Sequence, residues 1–85
     1  MSELDVLRKD IDRLDKEIAD LLVSRFAVVK QIGEIKKREG IPVTNTGREG
    51  VVIEQVRAAA QDAGEKEALA RIYRTVIEES KNLEK

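Results

Sequence analysis

The stretch from Leu4 to Ile35 reads as one long helix, and its length and patterning restrict everything the remaining residues can do. Alternating steps of three and four residues from Leu4 land on Leu7, Ile11, Leu14, Ile18, Leu21, Arg25, Val28, Ile32 and Ile35. Aliphatic side chains at that period fall on a single stripe of an α-helix. Arg25 alone interrupts the stripe. A buried guanidinium without a partner is strongly unfavourable, so a carboxylate of the chain or an anionic ligand is expected to meet it. Acidic residues crowd the first half of the stretch, while Arg25, Lys30, Lys36, Lys37 and Arg38 crowd its end, as the helix dipole favours. Ser2 with Asp5 three residues on resembles a capping box. Gly33 inside the pattern costs about 1 kcal/mol relative to alanine, which suggests a close approach of backbone or ligand there, a chance glycine being the alternative.

Downstream, Gly40 is a C-cap candidate, and Ile41-Pro42-Val43 must be extended because proline restricts its predecessor. The first helix should therefore stop near Glu39. Thr44 to Gly47 is polar and reads as a loop, with Thr46 and Glu49 forming a capping box for a second helix over about Gly47 to Ala63. Gly64 punctuates, and a third helix is expected from about Glu65 with the stripe Leu69, Ile72, Tyr73, Val76, Ile77, Ser80 and Leu83. The fold class is all-α, with one long and two shorter helices in a single domain over residues 1–85. A helix of about 36 residues spans about 54 Å, well beyond the diameter of a globule of this size, and the shorter helices can cover only part of it. The patterning predicts a homodimer whose long helices pack on each other. A single-chain three-helix bundle kinked at Gly33 is the competing arrangement.

Charge and composition narrow the function. Sixteen basic and seventeen acidic residues leave a net charge of −1, which argues against nucleic acid and anionic membrane as partners. Neither an 18-residue apolar run nor a charged-then-apolar leader is seen, so a soluble cytoplasmic protein is expected. With no Cys and no His, disulfides, thiol chemistry, the usual general base and the commonest metal ligand are excluded. Catalysis would fall to Arg, Lys, carboxylates and hydroxyls, and no metal is expected. Arg25 and Lys36 lie eleven residues apart, so they project from nearly one face about 16 Å apart. Ser80 and Glu84 are one turn apart, and Arg48 and Glu49 stand beside the free amides that open the second helix. Arg8, about 42 Å from Lys36 along the first helix, could join them only from the other protomer of an antiparallel dimer. Singly, each has a structural explanation: Arg25 could pair with Glu79, Glu84 or Glu49, Glu49 could complete the Thr46 cap, and Ser80 could be a small residue at a helix contact. Together, several cations converging in an apolar cavity describe a pocket for a small dianion.

Leu7-Arg8, Ile11, Leu14-Asp15, Leu21-Leu22, Arg25, Gly33, Lys36, Pro42-Val43, Arg48-Glu49 and Ile77-Glu78-Glu79-Ser80, in this order and spacing, closely resemble the all-helical (AroQ-type) chorismate mutases. The resemblance covers nearly the whole chain. It implies an intertwined homodimer of three-helix protomers that converts chorismate to prephenate, on the route to phenylalanine and tyrosine, without a cofactor. Each of its two sites would be completed by an arginine of the partner subunit, here Arg8. By the same resemblance Arg25 grips a substrate carboxylate, Lys36 hydrogen-bonds the ether oxygen, and Glu49, beside Arg48, accepts from the substrate hydroxyl. Ser80 matches a carboxylate-binding hydroxyl, and Glu84 occupies a second ether-oxygen contact. Asn45 stands where Asp is common, and Thr44 and Gly47 depart from the charged residues often seen in this loop. A Claisen rearrangement needs no nucleophile, base or metal, which suits a chain without His or Cys. Glu84 could assist the ether oxygen only when protonated, because an ionised carboxylate accepts but does not donate. The enzymatic alternative on the same scaffold is an isochorismate pyruvate-lyase; the non-enzymatic one is a helical dimerisation or regulatory module.

Overall fold

The computed structural model describes residues 2–85, folded as three helices: α1 (Glu3–Glu39), α2 (Thr46–Arg57) and α3 (Ala63–Glu84). Ser2 caps α1, its hydroxyl accepting from the Asp5 amide at 3.1 Å. Thirty-seven residues at a 1.5 Å rise make about 55 Å, which matches the 56 Å long axis of the molecule. The helix therefore runs straight through Gly33, and the kinked bundle is not the fold. Gly40 ends α1 in the left-handed conformation (φ 69°), where a side chain would be strained, and the Ile41 amide closes the cap on the Lys36 carbonyl at 2.8 Å.

Two boundaries differ from the sequence-based expectation. α2 is capped by Asn45, not Thr46, the Asn45 side chain accepting from the Arg48 amide at 3.0 Å. It also ends at Arg57, six residues before Ala63. The alanines at 58–60 favour helix, so propensity does not stop it. What stops it is the stronger start signal that follows. Asp62 accepts from the Glu65 amide at 2.8 Å, and the Glu65 carboxylate reaches back to the Gln61 amide at 2.7 Å, a reciprocal cap that opens α3 at Ala63. Amide-to-carbonyl bonds of Ala59 to Val56 and Ala60 to Arg57 tighten the end of α2 into the connection.

α3 is the central element. It packs against both α1 and α2, whereas α1 and α2 face each other without helix–helix contact. Val29, Ala70 and Ile77 form the buried apolar core, joined by Gly33. A Cβ added at Gly33 would lie 2.7 Å from the Glu84 carbonyl oxygen and 2.8 Å from its Cα. The glycine thus marks the place where the end of α3 lies directly on α1, the close backbone approach its position in the helix implies.

The rest of α1 has no cover within the chain. Leu4, Leu7, Ile11, Leu14, Ile18 and Leu21 remain 42–71% exposed. The radius of gyration is 16.1 Å, against about 12 Å for a compact domain of this length. The surface is 6575 Å², where a compact monomer of this mass would expose about 5,100 Å². Leaving six large aliphatic side chains in water forfeits on the order of 10 kcal/mol, as much as the whole stability of an ordinary domain. Among the described residues, no helix is long and apolar enough to cross a membrane.

Candidate functional site

Where α1, α2 and α3 converge they enclose a cavity of about 240 Å³. Its apolar walls are Val29 and Ile32 of α1, Val52 of α2 and Ile77 of α3, with Val43 from the loop. Its polar lining is Arg25, Lys36, Asn45, Arg48, Glu49, Ser80, Lys81 and Glu84. Seven of the eight residues that the sequence singles out therefore come together here, from three helices and a loop.

Arg25 reaches across from α1 to α3. Its Nη1 donates to Ser80 Oγ at 2.6 Å, and Ser80 in turn donates its proton to the Val76 carbonyl at 2.7 Å, which leaves a hydroxyl lone pair aimed at the guanidinium. The guanidinium carbon sits 5.2 Å from the centre of the Tyr73 ring, whose π face favours a cation. Among the described residues, no carboxylate pairs with Arg25: Glu49 and Glu84 share the cavity but pair with Lys81 and Lys36 instead, and Glu79 makes no ion pair with it. It is thus held in place by neutral groups, and its charge is left uncompensated.

Lys36, one side-chain length from the end of α1, donates to the Val43 carbonyl at 2.9 Å and so ties down the loop before α2. Its ammonium is also 2.7 Å from Glu84 Oε1, in a pair largely withdrawn from solvent. That contact is Coulombic: the buried oxygen has no aligned hydrogen bond. One of the three lysine protons goes to Val43, so donor capacity remains for a molecule in the cavity.

The opposite wall carries a second ion pair. Lys81 Nζ lies 3.1 Å from Glu49 Oε2 and 3.0 Å from Glu78 Oε1. Hydrogen bonds to Glu78 and then Glu49 hold the lysine above its ordinary value of 10.5. It is therefore charged at neutral pH. Its stabilising contribution is complete below the unfolded value and disappears as pH rises through the raised folded one. Because Asn45 caps α2, Glu49 is not used in a Thr46 capping box, and its carboxylate is free to face the cavity and Lys81.

Four cations and two carboxylates line the cavity: Arg25, Lys36, Arg48 and Lys81 against Glu49 and Glu84. Lys36 with Glu84 and Lys81 with Glu49 neutralise pairwise, which leaves Arg25 and Arg48 without carboxylate partners among the described residues. The site is thus two positive charges in excess, set against aliphatic walls. Arg8 does not line the cavity of its own protomer. It stands exposed near the start of α1, 4.0 Å from Asp5, about 25 Å along the helix from Arg25.

Lys81, Tyr73 and the Val43 carbonyl were not legible as site groups. For Lys81 one signal existed: it follows Ser80 and lies one turn beyond Ile77, so it shares the buried face of α3.

The sequence of residues 7–85 matches the family model for chorismate mutase type II. This chain belongs to that family. Its three helices make it an all-helical, AroQ-type chorismate mutase domain. It is similar along its whole length to a chorismate mutase of Methanocaldococcus jannaschii, 30% identical and covered over 87% of that protein. It is 39% identical, again over the whole chain, to a bifunctional chorismate mutase/prephenate dehydratase of Aquifex aeolicus, of which it spans only 25%. A 4-amino-4-deoxychorismate mutase of Streptomyces venezuelae is 32% identical over 92% of this chain and 77% of its own length. The chain thus spans most of one relative and only a quarter of another.

Proposed function

We propose that this domain is a chorismate mutase, rearranging chorismate to prephenate in the cytoplasm as part of aromatic amino acid synthesis. One observation carries the assignment: a small apolar cavity two positive charges in excess, which suits a compact molecule with two carboxylates. Arg25 grips one carboxylate with Ser80 beside it, and Arg48 and the amides at the start of α2 attract negative charge on the opposite side. Val29, Ile32, Val52 and Ile77 press the flexible enolpyruvyl ether into a folded, chair-like shape, so that much of the entropy cost of reaching the reactive geometry is met on binding.

The reaction then breaks the ether C–O bond and forms a C–C bond within one molecule, with no atom gained or lost. Negative charge grows on the ether oxygen as the bond lengthens. The Lys36 ammonium, already fixed by Val43, is the donor that stabilises it, in a pocket where solvent screening is weak. Glu84 can assist only if it carries a proton, since in the free chain it serves as the counter-ion of Lys36. Glu84→Gln, which donates through its amide, is therefore expected to keep turnover that Glu84→Ala loses; equal losses in the two variants remove Glu84 from this role.

The exposed stripe on α1 supports a homodimer as the working form, in which paired α1 helices cover Leu4 to Leu21. An antiparallel pairing would carry Arg8 of one protomer toward the cavity of the other. The test is a continuous assay of chorismate loss on purified protein, with isochorismate and 4-amino-4-deoxychorismate in parallel and sedimentation at the assay concentration. Prephenate formation without release of pyruvate by a dimer is the expected result. Pyruvate release from isochorismate would point to the lyase instead. No turnover of any of the three overturns the assignment, and an active monomer removes Arg8 from the site. The amino substrate is included because the Streptomyces venezuelae relative bears its name.

A further inference from the structure

We infer that Lys81 is a positioning and specificity-determining residue, which by pairing with Glu49 reserves that carboxylate for a neutral hydroxyl on the substrate ring and disfavours an amine in its place. The inference rests on the chorismate reading of the cavity and goes beyond it in naming what selects the ring substituent. Lys81 is only 17% exposed, and its ammonium bridges two helices, reaching Glu49 of α2 at 3.1 Å and Glu78 of its own helix at 3.0 Å. Glu49 Oε2, the oxygen turned toward Lys81, is buried, and among the described residues the Lys81 ammonium is the cation paired with it. The other oxygen of Glu49 is left as the acceptor for a ligand.

A hydroxyl can donate to that oxygen without adding charge. A protonated amine would bring a second cation to a carboxylate already shared with Lys81, in a cavity already positive, and like charges at such separations repel strongly where water is scarce. With Lys81 removed, Glu49 would be an unshared carboxylate, the better partner for an amine. Lys81 touches no reacting atom in this scheme; it acts through Glu49. Glu78, 66% exposed, holds it from the solvent side.

The decisive experiment compares kcat/KM for chorismate with kcat/KM for 4-amino-4-deoxychorismate. The native protein, Lys81→Met and Lys81→Arg are each measured alone and in a Glu49→Gln background. The ratio is expected to favour chorismate in the native protein, to fall by about tenfold or more in Lys81→Met, and to be restored in Lys81→Arg. In the Glu49→Gln background, Lys81→Met should leave it unchanged. A purely structural lysine would lower both substrates together and leave the ratio where it was, and that result overturns the inference. An equal shift with and without Glu49 overturns it as well. If Lys81→Met melts below the assay temperature, the same ratio is read from Lys81→Gln. A native protein that turns over neither substrate sinks the chorismate reading and this inference with it, whereas native turnover with an unmoved ratio sinks the role of Lys81 alone.

Discussion

Arg25→Ala is expected to lower kcat/KM for chorismate by about a hundredfold or more, while helix content and association state stay as they were. Arg25 is the cation of the cavity that the structure holds most firmly without neutralising it, between the Ser80 hydroxyl and the Tyr73 ring. Its charge therefore contributes little to the chain's own internal pairing and is available to a ligand. Removing it leaves no buried carboxylate unpaired, so stability should change little. A substrate held by one carboxylate fewer would lose both affinity and the folded geometry the rearrangement needs. The measurement is steady-state kinetics beside a circular-dichroism melt, and a variant with near-native rates would mean that the cavity is misassigned.

The second large effect is expected at Gly33. In Gly33→Val the new Cβ alone would meet the Glu84 backbone at 2.7–2.8 Å, and backbone cannot yield as a flexible side chain does. Either α3 moves away from α1 or α1 bends. Overpacking of this kind costs about 1–3 kcal/mol, which for so small a domain lowers Tm by about 5–15 °C. The displaced segment ends in Glu84 and carries Ser80 one turn earlier, so activity should fall by more than the loss of stability explains. An unchanged Tm would show that the two helices do not touch at this glycine in solution.

The two glycine and arginine positions were readable in the sequence because each breaks a pattern: a residue without a side chain inside a helix, and a charge inside an aliphatic stripe. α1 was legible for the same reason, its period being sustained over many turns. The α2–α3 boundary was not. Ala58, Ala59 and Ala60 favour continuation of a helix, and only the reciprocal contacts of Asp62 and Glu65 overrule them. Asn45 escaped notice as a cap because Thr46 beside it is also a capping residue by type and has Glu49 three residues on, the spacing of a capping box. Lys81 was hidden by its company: with Glu78 three residues before it, it has the signature of an ordinary surface ion pair. Its partner on α2 emerges only when the helices are packed. Arg25 was expected to meet an anion of the chain or of a ligand, and the structure removes the first possibility, since neutral groups hold it.

The bare half of α1 bears on how such a chain can change over generations. Where a two-fold axis lays that stripe against its own copy, any substitution between Leu4 and Leu21 enters the contact twice, once from each side. A favourable change is doubled and so is a harmful one, and a bulky side chain near the axis must fit against itself. Away from the axis each stripe residue meets a different position of the partner helix, so drift there would call for a matching change at that second position, while the cavity walls, which belong to one copy at a time, are free to vary singly.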